Sequence, residues 1–297
     1  MKPLASVVVA TYRRDESLKN ALLSLLKQDY ENLEIILVDD NADTAFNTRV
    51  GGIVAECSAE NSAISINLIV NDQNLGSAKT RNKGIAAAKG EYVTFLDDDD
   101  IYLPQKVSSQ VEFMLKNGAD YSVTDLELFN SSDKLIERRT RGYIQGTDSK
   151  SLLGYHFKHH ITGTDTMMFK RDYLEKIGGF DAIDVGDEFY LMKKAIEADG
   201  KFAYLNRCDV KAYIHTGDNG LSSGQGKIDG ENQLYEFKKK HFEKMDAKTV
   251  RYIKMRHFAV LAFAYLRMKK LNLFLLNSFK SFFSSPFECV KLFLTLK

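Results

Sequence analysis

Four consecutive aspartates, Asp97, Asp98, Asp99 and Asp100, follow the apolar run at residues 92–96. Adjacent carboxylates raise one another's pKa and oppose folding unless a cation or hydrogen-bond donors compensate. Alternate residues at a strand end point the same way, so Asp97 and Asp99 are expected to face one ligand together. Hard carboxylate oxygens select Mg²⁺ or Mn²⁺, ions commonly shared with substrate phosphates. A solvated acidic turn, with Asp100 capping the next helix, would use the same residue types. The position beyond Val93-Thr94-Phe95-Leu96 and ahead of Ile101-Tyr102-Leu103-Pro104 favours the ligand site. A second acidic pair, Asp187-Glu188, opens a helical pattern, where acids also suit a helix N-terminus.

Further polar groups gather after other strand-like runs: Thr11-Tyr12-Arg13, Asp39-Asp40-Asn41 and Asn71-Asp72. Arg13, Lys79 and Arg81 offer cations to a diphosphate, which guanidinium forks match well. Tyr12 offers a ring that can stack on a base or pack in the core. His215 lies just after an apparent strand at 210–214.

The elements that must position these groups alternate in type. Strand-like runs lie at 5–10, 35–38, 64–70 and 92–96. Helical periodicity appears at 18–26, 77–88 and from Pro104, with apolar residues at 107, 111, 114 and 115. Strands separated by helices imply βαβ units and a mostly parallel sheet with helices on both faces. In such sheets the ligand crevice lies at the carboxyl ends of the strands, where these polar clusters fall. From 119 to 214 the pattern turns mixed, with strands expected at 121–129, 134–138, 164–169, 201–205 and 209–214. Helices are expected at 171–177 and 188–198. Residues 217–232, rich in Gly, Ser and Asp, read as a mobile loop. The chain from 231 onward reads as helical, broken near Asn272 and Pro286.

At this point the chain resembles the family 2 glycosyltransferases, inverting enzymes of GT-A fold that use nucleotide-diphospho-sugars, here of the bacterial cell-surface polysaccharide or wall-polymer type. The resemblance spans roughly residues 4–220. It rests on Val7-Val8-Val9-Ala10-Thr11-Tyr12-Arg13, on Ile36-Leu37-Val38-Asp39-Asp40-Asn41, and on Asn74-Leu75-Gly76 with Arg81-Asn82-Lys83-Gly84. The four aspartates match the family's DxD motif, and Gly178-Gly179-Phe180-Asp181 with Gly186-Asp187-Glu188-Phe189-Tyr190-Leu191 matches its acceptor-side segment. The resemblance implies that Thr11, Tyr12, Arg13, Asp39, Asn74, Arg81, Asp97 and Asp98 contact the nucleotide sugar. It further implies that Asp97, Asp99 and His215 hold Mn²⁺ or Mg²⁺. Glu188 becomes the base that deprotonates the acceptor, with Asp187 its neighbour; the family order is commonly Glu-Asp, and here it is reversed. The segment between Asp43 and Ser62 has no role that the sequence reveals. A nucleotidyltransferase would open with a Gly-rich phosphate loop, and Thr11-Tyr12-Arg13-Arg14-Asp15 contains no glycine. A non-catalytic sugar-binding module would not need the acids at both sites.

Composition sets the outer limits. The 297 residues are 44% hydrophobic and 27% charged, with three prolines, which excludes a disordered or low-complexity chain. Three cysteines without metal-ligand spacing read as reduced thiols, and the N-terminus shows no signal-peptide pattern, so a cytoplasmic protein is expected. The net charge of +1 conceals an asymmetry. Residues 247–297 hold ten lysines and arginines against Glu288 alone, while residues 1–246 hold 31 basic and 39 acidic residues. The expected division is a catalytic GT-A domain at 1–230 and a basic amphipathic helical segment at 231–297. Such a tail suits the inner face of an anionic membrane, or else packs as a helical cap or a contact between copies. The partners expected are a nucleotide-sugar donor and a glycan or lipid-linked acceptor, with no nucleic acid.

Overall fold

The computed structural model describes residues 2–183, 186–214 and 224–295, and these fall into two compact units. One lies within Met1–Leu153 and Ile161–Ile214, the other within Gly154–His160 and His215–Lys297. The boundary expected at residue 230 lies inside the helix Gly224–Lys239.

The first unit is built on nine strands: β1 (Ala5–Thr11), β2 (Leu33–Asp39), β3 (Ser65–Val70), β4 (Tyr92–Asp97), β5 (Ile101–Tyr102), β6 (Tyr121–Asn130), β7 (Leu135–Arg139), β8 (Met167–Lys170) and β9 (Phe202–Ile214). They form one sheet in the order β3-β2-β1-β4-β8-β6-β9-β5, with β7 paired to β6. Strands β1 to β4 are mutually parallel where they pair, and β8 runs antiparallel between β4 and β6. Continuous apolar runs such as Val7-Val8-Val9 make this possible, because a parallel strand is buried on both faces. Val7 and Val9 join a core with Leu18, Leu22 and Leu25 of α1 (Glu16–Leu26). Val8 points the other way, toward Gly84 of α3 (Ser77–Ala87). Helices therefore cover both faces, as the βαβ pattern requires.

The remaining helices of this unit are α2 (Thr44–Glu60), α4 (Lys106–Asn117), α6 (Arg171–Lys176) and α7 (Asp187–Glu197), and α5 (Ser149–His159) contributes to both units. The segment without a readable role is α2, capped by Asp43, whose carboxylate accepts from Phe46 N. The expected strand at 164–169 begins instead as a 3₁₀ turn, Thr164–Thr166, and the two strands expected over 201–214 are one, β9, with irregular register near Cys208. The second unit contains α8 (Gly224–Lys239), α9 (Ala247–Arg267), α10 (Leu271–Ser284) and α11 (Pro286–Thr295). Helix α8 corrects the loop expected at 217–232 over its described part. Ile228 is buried there, and that tertiary contact overrides the Gly/Ser/Asp composition.

Gly84 controls how closely α3 approaches β1. A Cβ at this position would stand 2.3 Å from Val8 Cγ1, and valine's branched side chain has few rotamers to yield. Gly84→Ala is expected to lose about 1–2 kcal/mol. Overpacking costs about 1–3 kcal/mol, and alanine's helix propensity returns up to about 1. Urea denaturation measures this; an unchanged or raised stability would contradict the close fit.

Candidate functional site

The carboxyl ends of β1, β2 and β4 lie side by side, since Ala10 pairs with both Val38 and Asp97. The turn after β1 holds Arg13 at φ 54°, an uncommon backbone for a non-glycine residue, and Asn41 Oδ1 accepts Arg13 N at 2.7 Å. Asn41 is in turn fixed by Asp39 Oδ1, which accepts from its backbone and side-chain nitrogens. Asp39 is thus fully buried. Tyr12 is exposed, with the Arg13 guanidinium 5.1 Å from its ring centre. Asp40 takes a structural part: its carboxylate accepts from Leu75 N, Gly76 N and Asn71 Nδ2, which closes the loop between β3 and α3. Asn74 reaches the same loop by donating to Asp40 O. Lys79 is exposed on α3.

The four aspartates do not continue β4. The chain turns after Asp97, with Asp100 N donating to Asp97 O, so strand alternation stops there and Asp97 and Asp99 take different partners. Asp98 accepts from Thr11 Oγ1 at 2.7 Å and from Tyr12 N at 3.2 Å. Asp99 pairs with Arg14 Nη2 at 2.8 Å. Asp97 pairs with Arg81 Nη2 at 2.6 Å. Asp100, buried, accepts from Tyr213 N and does not cap α4, whose N-cap is Gln105.

One acid that the sequence did not single out belongs with these. Asp165 sits in the 3₁₀ turn ahead of β8, and its Oδ1 accepts from Asp97 N at 2.7 Å. Because β8 runs antiparallel beside β4, its start meets the end of β4. Asp97, Asp100 and Asp165 each bring a carboxylate oxygen to within 4.8 Å of the others. Oxygens bonded to one hard cation at about 2.0–2.6 Å can adopt this spacing, so the donor set fits a divalent ion. Behind the cluster, the buried Lys106 ammonium donates to Thr94 Oγ1 and the Tyr102 hydroxyl, and Tyr102 donates to Asp165 O. Burial lowers the Lys106 pKa well below the usual range.

Arg81 joins the two acidic segments. Its Nη1 lies 2.7 Å from Asp187 Oδ2 while its Nη2 holds Asp97. Asp187 opens α7 after Gly186 (φ 75°), is buried, and its Oδ1 accepts from Glu188 N. Glu188, half-buried, has its pKa pushed up to about 7 by loss of solvation and then by the charge of Asp187. Of the residues expected at a site, Thr11, Tyr12, Asp97, Asp98, Arg81, Asp187 and Glu188 are thus linked through hydrogen bonds or direct adjacency. Asp39 and Arg13 attach through Asn41, and His215 lies outside the described residues.

A family model for glycosyl transferase family 2 matches residues 6–178. The chain belongs to that family. It is 31% identical over 228 residues to an uncharacterized glycosyltransferase, MJ1057, of Methanocaldococcus jannaschii, covering 74% of each chain. It is 32% identical over 129 residues to the UDP-Glc:alpha-D-GlcNAc-diphosphoundecaprenol beta-1,3-glucosyltransferase WfgD of Escherichia coli, covering 43% of this chain and 48% of that relative. Among solved structures, Staphylococcus aureus TarS 1–349 in complex with UDP-GlcNAc superposes with a TM-score of 0.60 at 17% identity, covering 94% of this chain and 91% of that one. The fold is that of the GT-A glycosyltransferases, and the family membership makes the protein a glycosyltransferase.

Crowding of acids in this site has a thermodynamic signature. Asp98 is pushed up to about 7 by loss of solvation and the charge of Asp99, and Asp165 to about 7 by burial and the charge of Asp97. Asp100 is raised by burial and by Asp165. Folded-state values above the unfolded ones mean that the native state binds extra protons between about pH 4 and 7. Their contribution to stability is present in acid and lost as pH rises through about 7. The lowered pKa values of Lys106 and Lys238 run the opposite way with pH, so the readout specific to the acid cluster is the stabilisation by an added cation at pH 8. Mn²⁺ should restore stability at pH 8, by about 2.7 kcal/mol at a hundredfold excess over its Kd. Calorimetric melts with and without Mn²⁺ check this, and a melt at pH 8 that ignores the ion would contradict the cation site.

Proposed function

We propose that this glycosyltransferase moves a sugar, with inversion, from a uridine-diphospho-sugar to a glycan, polymer or lipid-linked acceptor in a divalent-metal-dependent reaction. One observation carries the reading: the buried Arg81 holds both a carboxylate of the cation cluster and Asp187, the neighbour of Glu188, which supports reading the two acidic segments as one site. The uridine donor is supported by WfgD's UDP-Glc and by the UDP-GlcNAc bound to TarS. The beta linkage in WfgD's name is the inverted outcome for an alpha-linked UDP-glucose, and its diphosphoundecaprenol acceptor supports a lipid-linked acceptor for a cell-surface polymer here.

In this reading the nucleotide lies over Thr11, Tyr12, Arg13 and Asn74, and the buried Asp39 shapes that turn through Asn41. The exposed Tyr12 ring is available for stacking on the base, and Asp98 faces the donor. Asp97, Asp100 and Asp165 would offer oxygens to Mn²⁺ or Mg²⁺, with Asp99 as a further ligand. When bound, the ion would supply positive charge against the diphosphate leaving group. Glu188 accepts the proton of the acceptor hydroxyl as that oxygen bonds to the anomeric carbon and the carbon–oxygen bond to the diphosphate breaks. Asp187 is a positioning residue. Its charge is committed to Arg81, while its Oδ1 holds the Glu188 backbone in place. Glu188 near 7 has the basicity to take a proton at neutral pH, which a carboxylate at its ordinary value lacks.

The rate of UDP release coupled to sugar transfer tests the assignment. With Glu188 as base, the rate should rise about tenfold per pH unit below about 7 and level off above it. Glu188→Gln should lose about 10²-fold or more in rate with donor affinity little changed, and Asp187→Asn should be milder. An inactive Asp187→Asn beside a near-normal Glu188→Gln would reassign the base to Asp187. Full turnover in excess chelator would remove the metal from the mechanism.

A further inference from the structure

Helix α10 carries its amphipathicity reversed. Its buried positions are Asn277 and Ser281, whereas Leu271, Leu275, Leu276, Phe279, Phe282 and Phe283 face outward, Phe283 at 75% exposure. Asn277 and Ser281 are both hydrogen-bonded. Ser281 Oγ donates to Met255 O of α9 at 2.9 Å, and Asn277 Nδ2 to Leu273 O at 2.8 Å. The same face continues on α11, where Cys289 is buried while Phe287 is 77% exposed and Val290 and Leu294 are also exposed. In water the apolar stripe of a helix turns inward, and an exposed stripe this long marks an interaction site. Small and polar residues between packed helices, with large apolar ones outside, is the arrangement suited to lipid as the outer solvent.

Length and charge say how lipid would be met. At 14 and 10 residues, α10 and α11 are too short to cross a bilayer, and among the described residues no helix is long and apolar enough to do so. A groove of about 480 Å³ runs along them, walled by Leu275, Phe279, Phe282, Phe283 and Val290. Its borders are basic: Arg267, Lys269 and Lys270 are exposed just before α10, and Lys280 and Lys291 are exposed on the helices themselves. Glu288 is the lone acid of residues 247–297. Apolar side chains beside lysines complement an anionic leaflet, whose acyl chains and headgroups present the same two chemistries at the same depth.

We propose that α10 and α11 form an interfacial anchor that docks on the surface of an anionic lipid bilayer, with the phenylalanines and leucines among the acyl chains and the lysines at the headgroup phosphates. The anchor stands independently of the sugar-transfer reading, because its test reads lipid binding and not turnover. Flotation of the full chain with vesicles of phosphatidylcholine, with and without phosphatidylglycerol, is the experiment. The protein should float with the phosphatidylglycerol vesicles and far less with phosphatidylcholine alone. Phe283→Ser/Phe287→Ser and Lys269→Glu/Lys270→Glu replace exposed side chains, so both double variants should stay folded. Each should weaken binding about tenfold or more. A polarity-sensitive fluorophore on Phe287→Cys should shift to the blue when the same vesicles are added. Equal flotation of the Phe283/Phe287 variant and wild type, or no flotation of wild type, would overturn the anchor. A dimer by light scattering that Phe283→Ser/Phe287→Ser dissociates, together with no lipid binding, would assign the face to contact between two copies instead.

Discussion

A single buried guanidinium ties the sheet-bearing unit of this protein together. Arg81 projects from α3 and binds Asp97 at the end of β4 with one nitrogen and Asp187 at the start of α7 with the other, at 2.6 and 2.7 Å. Its plane also stands 5.5 Å from the ring of Phe180. Stripping a cation of water is costly unless the compensating charges and geometry are good. Here two carboxylates meet a planar fork, an arrangement lysine's point charge could not reproduce. The nearby Gly84 allows α3 to sit close enough to β1 for that reach.

Around this fixed point, the acids divide between structure and chemistry. Asp39 and Asp40 spend their oxygens on neighbouring amides, and so shape the turns after β1 and β3. Asp97, Asp98, Asp100 and Asp165 have fewer cationic partners than charges, and several are held well above the usual carboxylate range. That imbalance opposes folding of the empty protein, and a bound cation would relieve it. Glu188 is raised as well, by loss of solvation and the charge of Asp187.

Local sequence carried the parts of the fold whose determinants are local. Val7-Val8-Val9 could only be a strand buried on both faces, and the spacing of Leu18, Leu22 and Leu25 already described α1. Asp165 was illegible because its partnership with Asp97 depends on β8 inserting antiparallel beside β4, 68 residues away in the chain. The alternation argument for Asp97 and Asp99 failed at a turn, since a hydrogen bond from Asp100 N to Asp97 O redirects the chain after one residue. Helix α8 was hidden by glycines that a buried Ile228 overrides. Arg81 was visible as a phosphate-binding candidate, but its ties to two acids 16 and 106 residues away were not.

The claim that Arg81 makes one unit of the two acidic segments has a direct thermodynamic test in a double-mutant cycle. Unfolding free energies of wild type, Asp97→Asn, Asp187→Asn and the double variant give the coupling between the two carboxylates. Sharing one guanidinium predicts that the effects are non-additive by about 0.5–3 kcal/mol. Additivity within about 0.3–0.5 kcal/mol would mean that the two acids act independently, and that Arg81 does not join them.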